Sequence, residues 1–144
     1  RFNLAHSAGV ALLAGRWGAE VGVDVEAIRA EVDAAAVGAR LFSAAEQRML
    51  RTLPPAERRR AFFGCWTRHE ASVKATGAGL GAADGSLSVW AGDREPVTVS
   101  GWTVHEIELE PGFAAAVAGP GLDQADVSAP RQVCAENSYF GSDV

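Results

Sequence analysis

Residues 61–80, AFFGCWTRHEASVKATGAGL, decide how the rest of the chain is read. Phe62, Trp66, His69 and Val73 recur at three- and four-residue intervals, which at about 100° per residue gathers them into one stripe of a helix. The run predicts the last turns of a long helix that buries Phe62, Trp66 and Val73 and stops at Gly77-Ala78-Gly79. Glu70 and Lys74 stand one turn apart on the flank of that stripe. The chain has 13 Lys and Arg residues, and Lys74 is the sole lysine among them. A compact ammonium on a flexible stem and a planar guanidinium fork are not interchangeable, so this position has its own chemistry to explain. The plainest account is a solvated surface pair, since Glu at i with Lys at i+4 stabilises a helix by about 0.2–0.5 kcal/mol.

Working outward, Pro54-Pro55 opens this helix, with Pro55 suited to its first turn, and predicts a span of 55–76. Ser43-Ala44-Ala45-Glu46 is a capping box, which starts a short helix at Ala44 that runs to about Thr52. The Ala-rich stretch from Glu26 to Phe42 has Ile28, Val32, Ala36 and Ala39 at helical spacing, so a helix is expected there despite Gly38. Residues 8–14 and 20–25 read as two strands of a hairpin around Gly15-Arg16-Trp17-Gly18. Beyond the long helix, Ser86–Trp90, Val97–Ser100, Trp102–Glu110 and Phe113–Ala118 read as three or four antiparallel strands between turn residues. The fold class is therefore α+β: a long helix packed on a small, mostly antiparallel sheet. Residues 1–119 make one domain, and 120–144, where apolar periodicity fades, are expected to be a mobile tail.

Composition narrows the function. At 144 residues, 48% of them apolar and 22% charged, the chain has room for one domain with a real core. A formal net charge of −5 argues against a nucleic-acid binder. No apolar run is long enough to span a membrane, and no signal-peptide layout is present, which points to the cytoplasm. Cys65 falls in the apolar helix and Cys134 in the polar tail, so no disulfide between them is expected. The first residue is Arg1 rather than Met, which suggests a processed, trimmed or fragmentary chain.

Several residues could bear chemistry. In Gly22-Val23-Asp24-Val25-Glu26, a period of two turns both carboxylates to one side of a strand. Two hard oxygen ligands on one face suit Mg²⁺ held together with substrate phosphates, although a strand end followed by a polar turn looks the same. His69 lies on the apolar stripe, where a hydrogen-bonded core histidine is the ordinary occupant, and Trp66 reads first as core. Arg58-Arg59-Arg60 reads as a solvated face, or else as an acidic-partner or phosphate contact. Glu46 is first of all the acid of its capping box.

The order of these pieces is more specific than any one of them. F-N-L-A-H-S at 2–7, G-V-D-V-E at 22–26, F-S-x-x-E at 42–46 and W-T-R-H-E-A-x-x-K-A-x-G-x-G-L at 66–80 resemble a 4′-phosphopantetheinyl transferase. More narrowly, residues 2 to about 118 resemble the C-terminal half of the surfactin-synthetase-activating, or Sfp-like, type. The resemblance implies transfer of the 4′-phosphopantetheine arm of coenzyme A to a serine of an acyl or peptidyl carrier protein, leaving 3′,5′-ADP. It implies Asp24, Glu26 and Glu70 as Mg²⁺ ligands, Glu70 also as the base for the serine hydroxyl, and Lys74 as the phosphate clamp. His6 and Ser7 would meet coenzyme A, with His6 near its 3′-phosphate, and His69 would sit among the catalytic groups. Residues just after Gly77 would meet the carrier protein.

Two positions depart from the family pattern. His69 stands where the family usually has Lys, and Ala5 where it often has Ser or Thr. Sfp-like enzymes are pseudo-dimers of two similar halves with coenzyme A between them, so the missing first half or a second copy of this chain is expected to complete the site. The alternative expectation is a non-catalytic half-domain that binds a carrier protein or a partner subunit.

Overall fold

The structure is a computed structural model that describes residues 1–77, 88–90, 92 and 94–127. In chain order it places β1 (Phe2–Ser7), β2 (Val10–Gly15), β3 (Gly22–Ala27), α1 (Ala34–Leu41), α2 (Ala44–Thr52), α3 (Pro55–Thr76), β4 (Val97–Val99), β5 (Trp102–Glu106) and β6 (Phe113–Pro120). β1 and β2 form a two-stranded antiparallel sheet, and the other four strands form an antiparallel sheet in the order β3-β6-β5-β4. α3 lies across β3 and β6, so the fold is α+β as expected.

The predicted ends of α2 and α3 match the structure, because local chemistry sets them. Ser43 Oγ accepts from Glu46 N while the Glu46 side chain accepts from Ser43 N, and α2 begins there. Pro55 opens α3, and Gly77 ends it in the left-handed region at φ 69°, a conformation that costs a glycine little. Arg58 of the triple-arginine run donates to the carbonyls of Arg51 and Leu53, so it closes the C-terminal end of α2. Arg60 reaches Glu106 at 3.7 Å.

Three expectations give way. The hairpin joins β1 to β2 through Ala8-Gly9, both at positive φ, rather than residues 8–14 to 20–25. Two successive residues at positive φ give a turn whose twist matches the right-handed twist of the flanking strands, and the short connection frees β3 to pair with β6 along its whole length. The helix expected from Glu26 starts only at Ala34, where Asp33 Oδ1 caps Ala35 N and Ala36 N. Glu26 and Ala27 belong instead to β3, where pairing with Ala114 and Phe113 overrides their helix propensity. The packed chain also runs past residue 119: Leu122 is buried, and His105 Nε2 lies 3.0 Å from its carbonyl. Residues 128–144 of the expected tail lie outside the described residues, as do Ser86 and Leu87 of the expected 86–90 strand; the described part of it, Ser88–Trp90, belongs to none of the strands β1–β6.

β3 separates two packed layers. Its Val23 and Val25 pack with Ala5, Leu12 and Ala115 beneath the hairpin. Asn3 Oδ1 accepts from Val23 N and Ser7 Oγ from Ala27 N, so side chains of β1 satisfy part of the edge of β3. Its other face begins with Gly22 against α3. A Cβ on Gly22 would run into the Ala71 carbonyl and the Ala75 amide, so only glycine lets strand and helix approach so closely. On α3, Phe62 and Phe63 are buried, each worth about 1.5–3 kcal/mol of transfer energy, whereas Trp66 and Val73 are only half-buried. The buried set on α3 is wider than the predicted stripe, because both the sheet and the helices α1 and α2 press on it.

Candidate functional site

Gly22, Asp24 and Glu26 occupy alternate positions of β3, so the carboxylates follow the tight glycine contact along the same side. Asp24 arrives at Lys74: Nζ donates to Asp24 Oδ1 at 2.7 Å and to the Val23 carbonyl at 3.2 Å. The lone lysine is therefore not half of a surface Glu–Lys pair; it crosses from helix to strand. Glu26 is oriented by Ser7 Oγ, which donates to its Oε2 at 3.2 Å, and by Arg29 at 3.8 Å. Glu70 completes the group from α3. All four residues line one cavity of about 420 Å³, together with His6 and Trp66.

Charge is unbalanced there. Burial raises the Asp24 pKa above its ordinary value, with Lys74 opposing. Burial also raises Glu26, and the Asp24 charge adds to it. Glu70 is raised by burial and by Asp24, again with Lys74 opposing. Three carboxylates thus share a single ammonium. Asp24 Oδ2 is buried and has no hydrogen-bond partner among the described residues. A buried carboxylate oxygen left without a donor is costly, and a cation supplies what it lacks. Hard oxygen donors from a strand and a helix, incompletely neutralised, are the donor set that Mg²⁺ takes. The residues fit a divalent cation.

His69 does not join them. It is 1% exposed, its Nε2 lies 3.0 Å from Glu46 Oε2, and its ring stacks on Phe42. The structure places His69, expected among the catalytic groups, apart from that cavity: a stripe residue on α3 turns toward α2, and its polar atom finds a buried carboxylate. Ser7 is likewise committed, to Glu26 and to the Ala27 amide, while His6 is exposed at the cavity. The residues just after Gly77, expected to meet a carrier protein, lie outside the described residues.

Glu46, Cys65 and His69 also gather ligand-type atoms within 4.8 Å of one another. That cluster is better satisfied without a metal. The Glu46 carboxylate already accepts from Ser43 N, Ser43 Oγ and Val89 N besides facing His69. Burial, with Glu46 beside it, also pushes the Cys65 thiol far up, away from ready ionisation. Sequence reasoning missed Gly22 as a site-building residue and treated Trp66 as core. A glycine two positions before an acid in an apolar strand was the available signal for Gly22.

A profile of the 4′-phosphopantetheinyl transferase superfamily matches residues 20–117, which enclose Asp24, Glu26, Glu70 and Lys74. The chain belongs to that superfamily. It is also 33% identical over 124 residues to the 4′-phosphopantetheinyl transferase HetI of Nostoc sp. strain PCC 7120, a match that takes in 84% of this chain and 52% of HetI. Over 79 residues it is 33% identical to slr0495 of Synechocystis sp. strain PCC 6803, provisionally named for the same activity; that match covers 55% of this chain and 32% of slr0495. The chain thus spans about half the length of HetI, and less of slr0495. The superfamily match accords with the antiparallel α+β architecture.

Proposed function

We propose that this chain carries the cation-binding wall of a Mg²⁺-dependent 4′-phosphopantetheinyl transferase. Its substrates would be coenzyme A and a serine of an acyl or peptidyl carrier protein, and its products the loaded carrier and 3′,5′-ADP. The observation that carries this reading is the convergence of Asp24, Glu26, Glu70 and Lys74 on one cavity in a chain of this superfamily. In the reaction the serine Oγ bonds to the phosphorus of the arm, the P–O bond to 3′,5′-ADP breaks, and the serine proton leaves to a base. Asp24, Glu26 and Glu70 would hold the Mg²⁺, which when bound neutralises charge on the phosphates.

The chain's own residues account for the remaining needs. Glu70, whose pKa burial and the Asp24 carboxylate raise, suits uptake of the serine proton, directly or through water. Lys74 can give part of its ammonium to a phosphate oxygen, as a point charge rather than a fork. His6, exposed at the cavity, is the candidate for the 3′-phosphate of coenzyme A. Ser7 supports Glu26 more directly than it could support the nucleotide. A cavity lined from one strand, one hairpin and one helix is a single wall, so a second half or a second copy is proposed to supply the other.

The test is a mixture of coenzyme A, Mg²⁺ and an apo-carrier protein, followed by release of 3′,5′-ADP. Release should appear with the intact carrier and vanish when its acceptor serine is replaced by alanine. No release from a form carrying both walls, with several carriers, would instead favour a half-domain that binds a carrier or a partner subunit without turnover.

A further inference from the structure

A capping box asks its acid only to accept the backbone N–H of the cap residue. Glu46 does so, taking Ser43 N at 2.9 Å, and then goes further. The same oxygen lies 3.0 Å from His69 Nε2 on α3, and the other oxygen accepts Val89 N at 2.8 Å. α2, α3 and the segment 88–90 therefore meet on one carboxylate that is 0% exposed. One residue before His69, Arg68 donates to the Val89 carbonyl at 3.3 Å and to the Glu95 carbonyl at 3.0 Å. Val89 is thus held at its N–H from α2 and at its C=O from α3.

His69 and Glu70 are consecutive on one helix, so their side chains leave the axis about 100° apart. Holding the His69 ring between Glu46 and the face of Phe42 fixes the rotation of α3 at the turn that carries Glu70. A buried ionisable pair is weak evidence for added stability. His69 Nδ1 is buried without a hydrogen-bond partner among the described residues, but the Glu46 carboxylate is bonded from α2, α3 and Val89 at once, and a buried group tied to several elements permits few alternative arrangements. We infer that Glu46 is a positioning residue for the candidate cation site: through His69 it holds α3 in the rotation that brings Glu70 to Asp24 and Glu26. The inference rests on reading those three carboxylates as the cation site. Glu46 itself touches neither cation nor substrate.

The experiment is titration of Mn²⁺ into the 144-residue chain, read by electron paramagnetic resonance at a temperature where every variant is folded. Partners that orient metal ligands typically change affinity by about tenfold or more when removed, and that is the loss expected for Glu46→Gln. Ser43→Ala removes the cap hydroxyl but leaves both distant bonds of Glu46; it should lower Tm and leave Mn²⁺ affinity unchanged. His69→Leu should weaken binding as Glu46→Gln does. Charge alone predicts otherwise, because deleting a carboxylate and deleting an imidazole do not push a cation the same way. Unchanged affinity in Glu46→Gln, or equal losses in Glu46→Gln and Ser43→Ala, would overturn the positioning role. If His69→Leu fails to fold, the comparison of those two variants still decides. Asp24→Asn checks the reading beneath: if it binds Mn²⁺ as tightly as the parent chain, the cation site itself is wrong.

Discussion

At the scale of residues, the site is a contest between charge and burial. Asp24 sits 5% exposed with one oxygen on Lys74 and the other without a partner, and burial holds its pKa up. Such a group destabilises the cation-free protein wherever it is ionised. Asp24→Asn is therefore expected to raise Tm at pH 7 in the presence of a chelator and to abolish any gain in Tm on adding Mg²⁺. Thermal unfolding with and without Mg²⁺ checks both halves of that statement. Lys74→Arg should not rescue Lys74→Ala, because a guanidinium fork cannot replace a compact ammonium wedged between a carboxylate and a carbonyl. Both variants should lose about a hundredfold in kcat/KM for arm transfer, the scale of removing one electrostatic donor from a charged transition state. Glu46 has the opposite sign from Asp24. Burial alone would raise its pKa, but His69 and the Ser43 and Val89 amides outweigh that, and the net direction is down from 4.5. Its contribution to stability is present above the unfolded value and is lost as pH falls through the folded one. Tm should decline below about pH 4.5, and Glu46→Gln should flatten that decline.

At the scale of elements, the decisive contact is the crossing of β3 and α3. Gly22 is where the two backbones touch, and Asp24 and Glu26 are presented one and two steps further along the strand. Gly22→Ala would force the elements apart. Overpacking of this kind costs about 1–3 kcal/mol, and here it should also separate Asp24 from Lys74. Urea unfolding reads the first effect and Mg²⁺ affinity the second; a variant with parental values in both would show that the close approach is not needed. What could be read from the sequence follows the same division. Ser43-x-x-Glu46, Pro54-Pro55 and Gly77 fixed the ends of α2 and α3, since caps and breakers act within a few residues. The facing pair Asp24 and Glu26 was legible from strand periodicity. The partner of β3 was not, because β6 lies about ninety residues away and the Ala-rich run after Glu26 carries a helical preference that pairing overrides. That His69 would be a hydrogen-bonded core residue was legible from the apolar stripe, but its partner was not, because Glu46 is 23 residues upstream on another helix.

At the scale of the whole molecule, the acidic cavity opens beside a hairpin with an apolar outer side. Phe2, Leu4, Leu13 and Trp17 are the exposed large hydrophobic residues among those described, and all lie on or just after β1 and β2. Leu4 and Leu13 are cross-strand partners, and Leu4 also lines the cavity. An apolar face that continues into the site is where a second wall would seat, in keeping with a chain that spans about half of HetI. The 144 residues as a monomer are therefore expected to bind a divalent cation but not to transfer the arm. Solution mass measured alongside the transfer assay checks this; turnover by a strict monomer would mean that one wall suffices.

The most direct measurement follows the mass of an apo-carrier protein incubated with coenzyme A and the form of the enzyme that carries both walls. The account predicts addition of the phosphopantetheine arm to the carrier serine with Mg²⁺, and none with a chelator, with Asp24→Ala or with Glu70→Ala. Undiminished transfer by Asp24→Ala and Glu70→Ala would contradict it.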